Sequence, residues 1–376
     1  MKRYWRHLLR WEVLSFGALA LYPPFCTLAR SLFPDSLGGN FGNEFGDQIS
    51  TLCVFGMLAL ALNTAVGYAG LLQLGIAAFF AIGVYVTGIC TVNSYPFQVG
   101  LTIAGILSIL AAAVFGLLLG APSLRLRGDY LAIVTLGFGE IVKSVLINMD
   151  EITKGTQGLN PIPPPIPPEW LLGLFGSDAR AAAFDYRVFY YLALVLLLAI
   201  TILLIVLERS RFGRAWIALR EDQLAASCMG ISIPRVKIRA FAVSAAIAGL
   251  AGCLYSIKQR GTSDPNEYGF SLSITMLCCV ILGGLGSIRG TLLGVFVLMG
   301  FDKILSPILN GWLQDRLSDL EASGWSLPQS ATRLLSFSSW RLMIFGLALI
   351  LVMRFRPEGL WPSLRLQHEL HEKKPG

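Results

Sequence analysis

Windows of about twenty residues with almost no charge recur along this chain, and a run of that length crosses the ~30 Å hydrocarbon layer of a bilayer as a helix. Inside a bilayer every backbone polar group must find its partner within the protein, so such runs form helices that bundle with one another. Charged residues make up 14% of the 376 residues and hydrophobic residues 55%, whereas a soluble domain carries about 25% charged residues. Mean hydropathy is +0.64. A soluble enzyme, a disordered chain and a conventional nucleic-acid binder are excluded. The expected fold is an all-α polytopic membrane protein of about ten transmembrane helices.

Candidate spans cover residues 11–33, 49–65, 68–92, 97–120, 129–148, 188–207, 238–257, 272–286, 291–308 and 340–353. The run 272–286 ends in a glycine-rich break, and 49–65 leads almost directly into its successor, so each suits a broken or re-entrant helix. The first run is read as a retained span, because it is long, interrupted by Pro23 and Pro24, and followed by no small-residue cleavage site.

Basic residues test this arrangement, since they collect in cytoplasmic loops. With the N-terminus in the cytoplasm, ten spans return the C-terminus to the same side. Nineteen of the 30 Lys and Arg then face inward: Lys2, Arg3, Arg6, Arg10, Arg125, Arg127, seven between Arg209 and Arg239, Arg289, Arg354, Arg356, Arg365, Lys373 and Lys374. The outer side receives 34–48, which has neither Lys nor Arg, and the loop 150–187. Membrane topology thus accounts for the net charge of +7 without a nucleic-acid partner. The chain divides into an N-terminal segment with first span and outer loop (1–48), a transmembrane domain (49–362) and a cytoplasmic tail (363–376).

Seven cysteines form no CxxC pair, and the three histidines, His7, His368 and His371, lie near the ends. No metal site or disulfide framework is expected from that distribution. Residues 161–168 read PIPPPIPP, a stiff polyproline strut on the outer side. The outer stretch 310–339 mixes both charge signs with Gly and Pro and reads as a cap over the last spans.

The segment 208–239 is the most informative. Phe212, Trp216 and Leu219 recur at helical spacing, with Leu224 and Cys228 four apart after them. Gly230 is a natural helix stop, Ser232 a cap and Pro234 a first-turn residue of the next helix. An amphipathic helix, a tight turn and a second helix feeding the next span are therefore expected. Two readings stand: a helix lying on anionic lipid, or a rigid element docked on a cytoplasmic motor. The mixed charges of Arg220, Glu221 and Asp222 suit a protein surface better than lipid.

Residues 219–255, LREDQLAASCMGISIPRVKIRAFAVSAAIAGLAGCLY, resemble the coupling segment of bacterial branched-chain amino-acid ABC permeases of the LivM type. The likeness continues in 63–85 (NTAVGYAGLLQLGIAAFFAIGVY), 124–152 with the following TKGTQGL, 281–290 (ILGGLGSIRG) and 341–360, in the family's order. The resemblance implies an ATPase-coupling loop of the EAA-x-x-x-G kind. Ala225, Ala226 and Gly230 hold its second, third and seventh places, while Leu224 stands in the Glu place and leaves Glu221 and Asp222 as alternatives for meeting the motor. It also implies two cytoplasmic ATPase subunits, a second LivH-type permease and a periplasmic or extracellular substrate-binding protein, in the bacterial cytoplasmic membrane among its lipids. The chain itself has no G-x-x-x-x-G-K-[ST] loop, so ATP and Mg belong to the partners and no cofactor is expected here.

Candidate pathway residues are Gly70, Gln73, Gly75, Thr135, Gly137 and Glu140. Glycines expose backbone to a passage or let helices pack closely; a buried amide such as Gln73 needs partners. Glu140 and Lys143, three apart, share a helix face; mutual pairing would lower the ~2.5–3.5 kcal/mol cost of a charge at mid-bilayer, and the two could instead line a wet cavity, lie near the outer interface or meet the partner permease. The rival reading is an ion-coupled secondary transporter with Glu140 as its ion site.

Overall fold

The computed structural model describes residues 41–92, 95–96, 98–123, 126, 128–162, 186–311, 340–356 and 359–361. Among these, all regular structure is helical. Helix α1 (Phe41–Asn63) runs into a π-helical turn (Thr64–Tyr68), and after a break come α2 (Ile76–Thr91), α3 (Leu101–Ser123) and α4 (Asp129–Asn148). Helix α5 (Tyr186–Arg209) leads into two short helices, α6 (Arg211–Glu221) and α7 (Gln223–Cys228). They are followed by α8 (Ile233–Gln259), α9 (Phe270–Gly283), α10 (Ile288–Gly300) with a π-helical turn (Phe301–Leu305), and α11 (Arg341–Phe355).

Six stretches among the described residues are long and apolar enough to cross a membrane: Phe45–Tyr68, Leu101–Ala121, Asp129–Asn148, Arg187–Arg209, Ile233–Gln259 and Ile288–Gly311. Helices α2 and α9 are apolar but shorter, and α11 has 15 residues. Where ten full spans are expected, the described residues therefore give six, and the expected first span, 11–33, lies outside them. The expected span 129–148 coincides with α4. The expected span 68–92 does not form as one helix. Gly70 takes a φ of +66° and the Leu71 N–H bonds back to the Ala65 carbonyl at 2.9 Å, a left-handed helix stop that glycine permits. The chain stays irregular until Ile76.

Helix α1 is the central element, almost wholly buried and packed against α5, α8, α9 and α10. Helix α8 lies across α2 and α3. Their backbones touch: a Cβ on Gly83 would stand 2.1 Å from the Gly249 carbonyl oxygen, one on Gly252 2.1 Å from that of Phe80, and one on Gly116 2.6 Å from the Ala245 Cβ. Small residues permit this approach, which dispersion and packing favour in a membrane bundle. Phe80 sits among Phe55, Tyr255 and Tyr268, with ring centroids 5.3–6.4 Å apart.

Between α9 and α10 the chain turns through Gly284 (φ +119°) and Gly286 (φ +78°), and the Ser287 hydroxyl caps α10 by accepting the Gly290 N–H at 3.1 Å. The expected glycine-rich break is thus a helix break with close packing: a Cβ on Gly283 would meet the Gly290 carbonyl oxygen at 2.0 Å. The last carbonyls of α9 find partners far along the chain, Leu282 accepting from the Leu360 N–H at 2.9 Å and Gly283 from the Trp361 N–H at 3.0 Å. Of the proline-rich run the structure describes Pro161 and Ile162; the Ile162 N–H donates to the Arg260 carbonyl at 2.8 Å. The remaining run, the expected cap from residue 312 to 339 and the tail from 363 lie outside the described residues.

Candidate functional site

The elbow between α5 and α8 is built by side chains that end one helix and start the next. The Ser210 hydroxyl accepts the Phe212 and Gly213 N–H groups, capping α6. The expected amphipathic helix is divided at Asp222, whose carboxylate accepts the Leu224 and Ala225 N–H groups at 2.7 and 3.1 Å and caps α7. Competing for backbone donors in this way is the reason Asp starts helices rather than continuing them. Gly230, with φ +81°, ends α7, and Pro234 stands in the first turn of α8 as expected; the Ser232 side chain makes no capping bond.

One face of the elbow is sealed to the bundle. Trp216, Leu219 and Ala226 are buried, and the Trp216 indole donates to the Val236 carbonyl at 3.1 Å. The opposite face is open: Glu221, Asp222, Ala225 and Gly230 are exposed, beside Leu224 at 70% and Met229 at 82% exposure. Leu224 and Met229 therefore belong to the surface of the elbow and not to its core. Arg239 stacks over the Phe212 ring at 5.0 Å. The five coupling candidates thus lie on one element, with Ala226 turned inward and the other four outward.

The pathway candidates divide. Gln73 is fully buried in the break between α1 and α2; its Oε1 accepts the Ser244 hydroxyl of α8 at 3.2 Å, while its Nε2 has no partner among the described residues. Gly75 lies against α4, where a Cβ would stand 2.3 Å from the Thr135 carbonyl oxygen. The Thr135 hydroxyl accepts the Leu74 N–H at 3.0 Å. Gln73, Gly75 and Thr135 are therefore one knot of α4, α8 and the break. Gly70 is set against the elbow, 2.9 Å separating its would-be Cβ from Arg220 Cγ. Gly137 faces open space and Glu140 is half-buried on the same helix.

Of the readings open for Glu140 and Lys143, mutual pairing is not formed among the described residues. Both side chains are half-buried and no ion pair joins them; the Lys143 ammonium extends to Gly269, 3.5 Å from where a Cβ there would stand.

Sequence reasoning does not single out Asn63, Tyr68 and Glu208, and it sets Arg220 among the charges of a partner-facing surface; the structure brings all four between the elbow and the breaks. The Tyr68 hydroxyl donates to Glu208 Oε2 at 3.4 Å, Arg220 Nη1 donates to the Gly67 carbonyl, and Asn63 Oδ1 accepts the Gly286 N–H at 2.9 Å. A signal is present for one of them. Arg220 follows the buried Trp216 by four places and the buried Gly213 by seven, so it belongs to the inward stripe of α6.

A family model described as branched-chain amino acid transport system / permease component matches residues 47–353. The chain belongs to this family. The LivM permease protein of the high-affinity branched-chain amino acid transport system of Escherichia coli K12 is 39% identical over 86% of this chain and 71% of its own length. The LivH permease protein of the same organism is 25% identical over 70% of this chain and 85% of its own. BraD of Pseudomonas aeruginosa is 24% identical over 81% and 91% respectively. No solved structure matches. The chain is a multi-pass membrane permease subunit of an ABC importer, a non-catalytic part of a complex with other subunits.

Proposed function

We propose that this chain lines the passage of an ATP-driven importer for branched-chain or related amino acids in the bacterial cytoplasmic membrane. Its partners are two cytoplasmic ATPase subunits that bind ATP and Mg, a LivH-type permease and an external substrate-binding protein. The observation that carries this reading is the two-faced elbow: Trp216, Leu219 and Ala226 hold it to the bundle, while Glu221, Leu224, Ala225 and Met229 stand open to a partner. Asp222 is engaged in capping, which favours Glu221 as the carboxylate that meets the ATPase.

In this reading an ATPase closing on nucleotide displaces α6 and α7 as a unit, because the caps at Ser210 and Asp222 and the Trp216 anchor leave little slack within the elbow. Substrate released by the binding protein passes along α4 and the break, where the buried Gln73 donor and the Thr135 hydroxyl lie within one knot. An unpartnered buried amide is costly in a fixed interior, about 1–3 kcal/mol, and suits a place where polar ligands come and go.

The test is uptake of labelled leucine, isoleucine and valine into proteoliposomes holding the complete importer. Uptake that requires ATP and survives a proton or sodium ionophore is expected. Uptake without ATP that the ionophore collapses would show ion coupling and overturn the proposal.

A further inference from the structure

Two helix breaks interrupt this bundle, one after α1 and one between α9 and α10, and both meet the elbow at a single side chain. Arg220 occupies the last turn of α6. Its Nη1 donates to the Gly67 carbonyl, in the π-helical turn Thr64–Tyr68. The last carbonyls of a helix lack donors of their own, and a cation there also complements the helix dipole. Three glycines close around the arginine. A Cβ on Gly70 would stand 2.9 Å from Arg220 Cγ, one on Gly286 would stand 3.1 Å from Arg220 Nη1, and one on Gly67 would stand 2.6 Å from the Gly286 nitrogen. The two breaks are tied to each other as well, through Asn63 Oδ1 and the Gly286 N–H at 2.9 Å.

The π-helical turn is gripped at a second point. Tyr68 donates to Glu208, in the last turn of α5 where the elbow begins. The elbow therefore spans the turn, holding it from Glu208 on one side and Arg220 on the other. A π-helical turn is rare and recurs at functional positions. Downstream of it lie Gln73 and Gly75. The other break is held by the chain's late segment, where Leu360 and Trp361 bond to Leu282 and Gly283.

We infer that Arg220 is the positioning residue through which movement of the elbow reaches both helix breaks, so that hydrolysis in the ATPases is converted into opening of the passage. This rests on the importer reading above and names the contact that reading requires. Arg220 touches no substrate. It acts through the Gly67 carbonyl, and through Gly286 packed beside it, on the segments that lead to α2 and α10.

The test uses the complete importer, with its ATPases and binding protein, in proteoliposomes. Arg220→Met keeps the stem that packs on Gly70 and removes the guanidinium. Its subunits are expected to co-purify as in wild type and to hydrolyse ATP within about twofold of wild type, while uptake falls at least about tenfold, so that more ATP is split for each substrate moved. Hydrogen exchange supplies a second readout. On ATP binding, protection of peptides covering 211–230 and 64–71 changes in wild type; in Arg220→Met the first change persists and the second is lost. Arg220→Lys, which keeps the charge without the planar fork, is expected to recover part of the uptake and serves for both measurements if Arg220→Met does not accumulate. Uptake and hydrolysis falling in proportion, an unchanged 64–71 response, or failure of both variants to assemble overturns the inference. If wild-type importer takes up no substrate with ATP, it is the importer reading that fails.

Discussion

Two regions of this molecule are rich in glycine and use it differently. At the crossing of α8 over α2 and α3, Gly83, Gly249, Gly252 and Gly116 sit within regular helices, and each would drive a Cβ into a neighbouring backbone or side chain. Around the break after α1, Gly70 ends a helix with a positive φ, and Gly67 and Gly75 press against Gly286 and Thr135 while the chain between them is irregular. The first region is a close-packed seam. The second, which the proposed coupling makes a joint, holds two buried amides, Asn63 and Gln73, whose NH₂ groups have no partner among the described residues. Glycine density alone does not separate a seam from a joint; the buried amides and the arginine reaching in from the elbow do.

The sharpest way to break that contrast is to fill the seam. Gly83→Val would place a branched side chain where even a Cβ stands 2.1 Å from a carbonyl oxygen, and overpacking of this severity costs about 3 kcal/mol or more. Loss of the monodisperse peak in size-exclusion of the detergent extract is expected. At the joint, Thr135→Val leaves the Leu74 N–H without the acceptor it has at 3.0 Å, a penalty of about 1–3 kcal/mol. A lower melting temperature with protein still present in the membrane is expected. The smallest effect falls on α4, where a Cβ on Gly137 meets nothing within 4 Å. Gly137→Ala should leave abundance and uptake unchanged and raise the melting temperature slightly, by the ~0.5–1 kcal/mol that Ala gains over Gly inside a helix; a drop in uptake alone would bring that face of α4 into the passage.

Helix α4 is legible to the residue, because Gly128 and Met149 bound one apolar run with the acidic Asp129 at its start. The break at 69–75 is not, since Leu71, Leu72 and Leu74 carry as much hydropathy as any helix and the decision lies in the left-handed Gly70. Hydropathy measures burial and not backbone conformation, and Leu71, Gln73 and Gly75 of this irregular stretch are buried. The elbow is legible as a helix with a turn at Gly230, while the Asp222 cap that divides it looks, in sequence, like one more surface charge. Among the pathway candidates, Gln73, Gly75 and Thr135 converge, yet nothing local marks Gly75 as packed and Gly137 as open. The contacts of Arg220 with Gly67 and of Asn63 with Gly286 join residues 153 and 223 places apart. Pairings of that separation leave no periodic trace in a single sequence.

Coupling of the kind proposed requires the elbow to face the ATPases from the cytoplasm. Cys228, exposed at the end of α7, reports on it once Cys26 and the half-buried Cys90 and Cys278 are replaced by Ser; Cys53, Cys253 and Cys279 are buried. A membrane-impermeant maleimide should leave position 228 unmodified in intact cells, label it in inverted membrane vesicles stripped of the ATPases, and lose that labelling when the ATPases are restored, with Cys228→Ser as the control. Labelling of Cys228 in intact cells would put the elbow on the outer face and contradict the coupling.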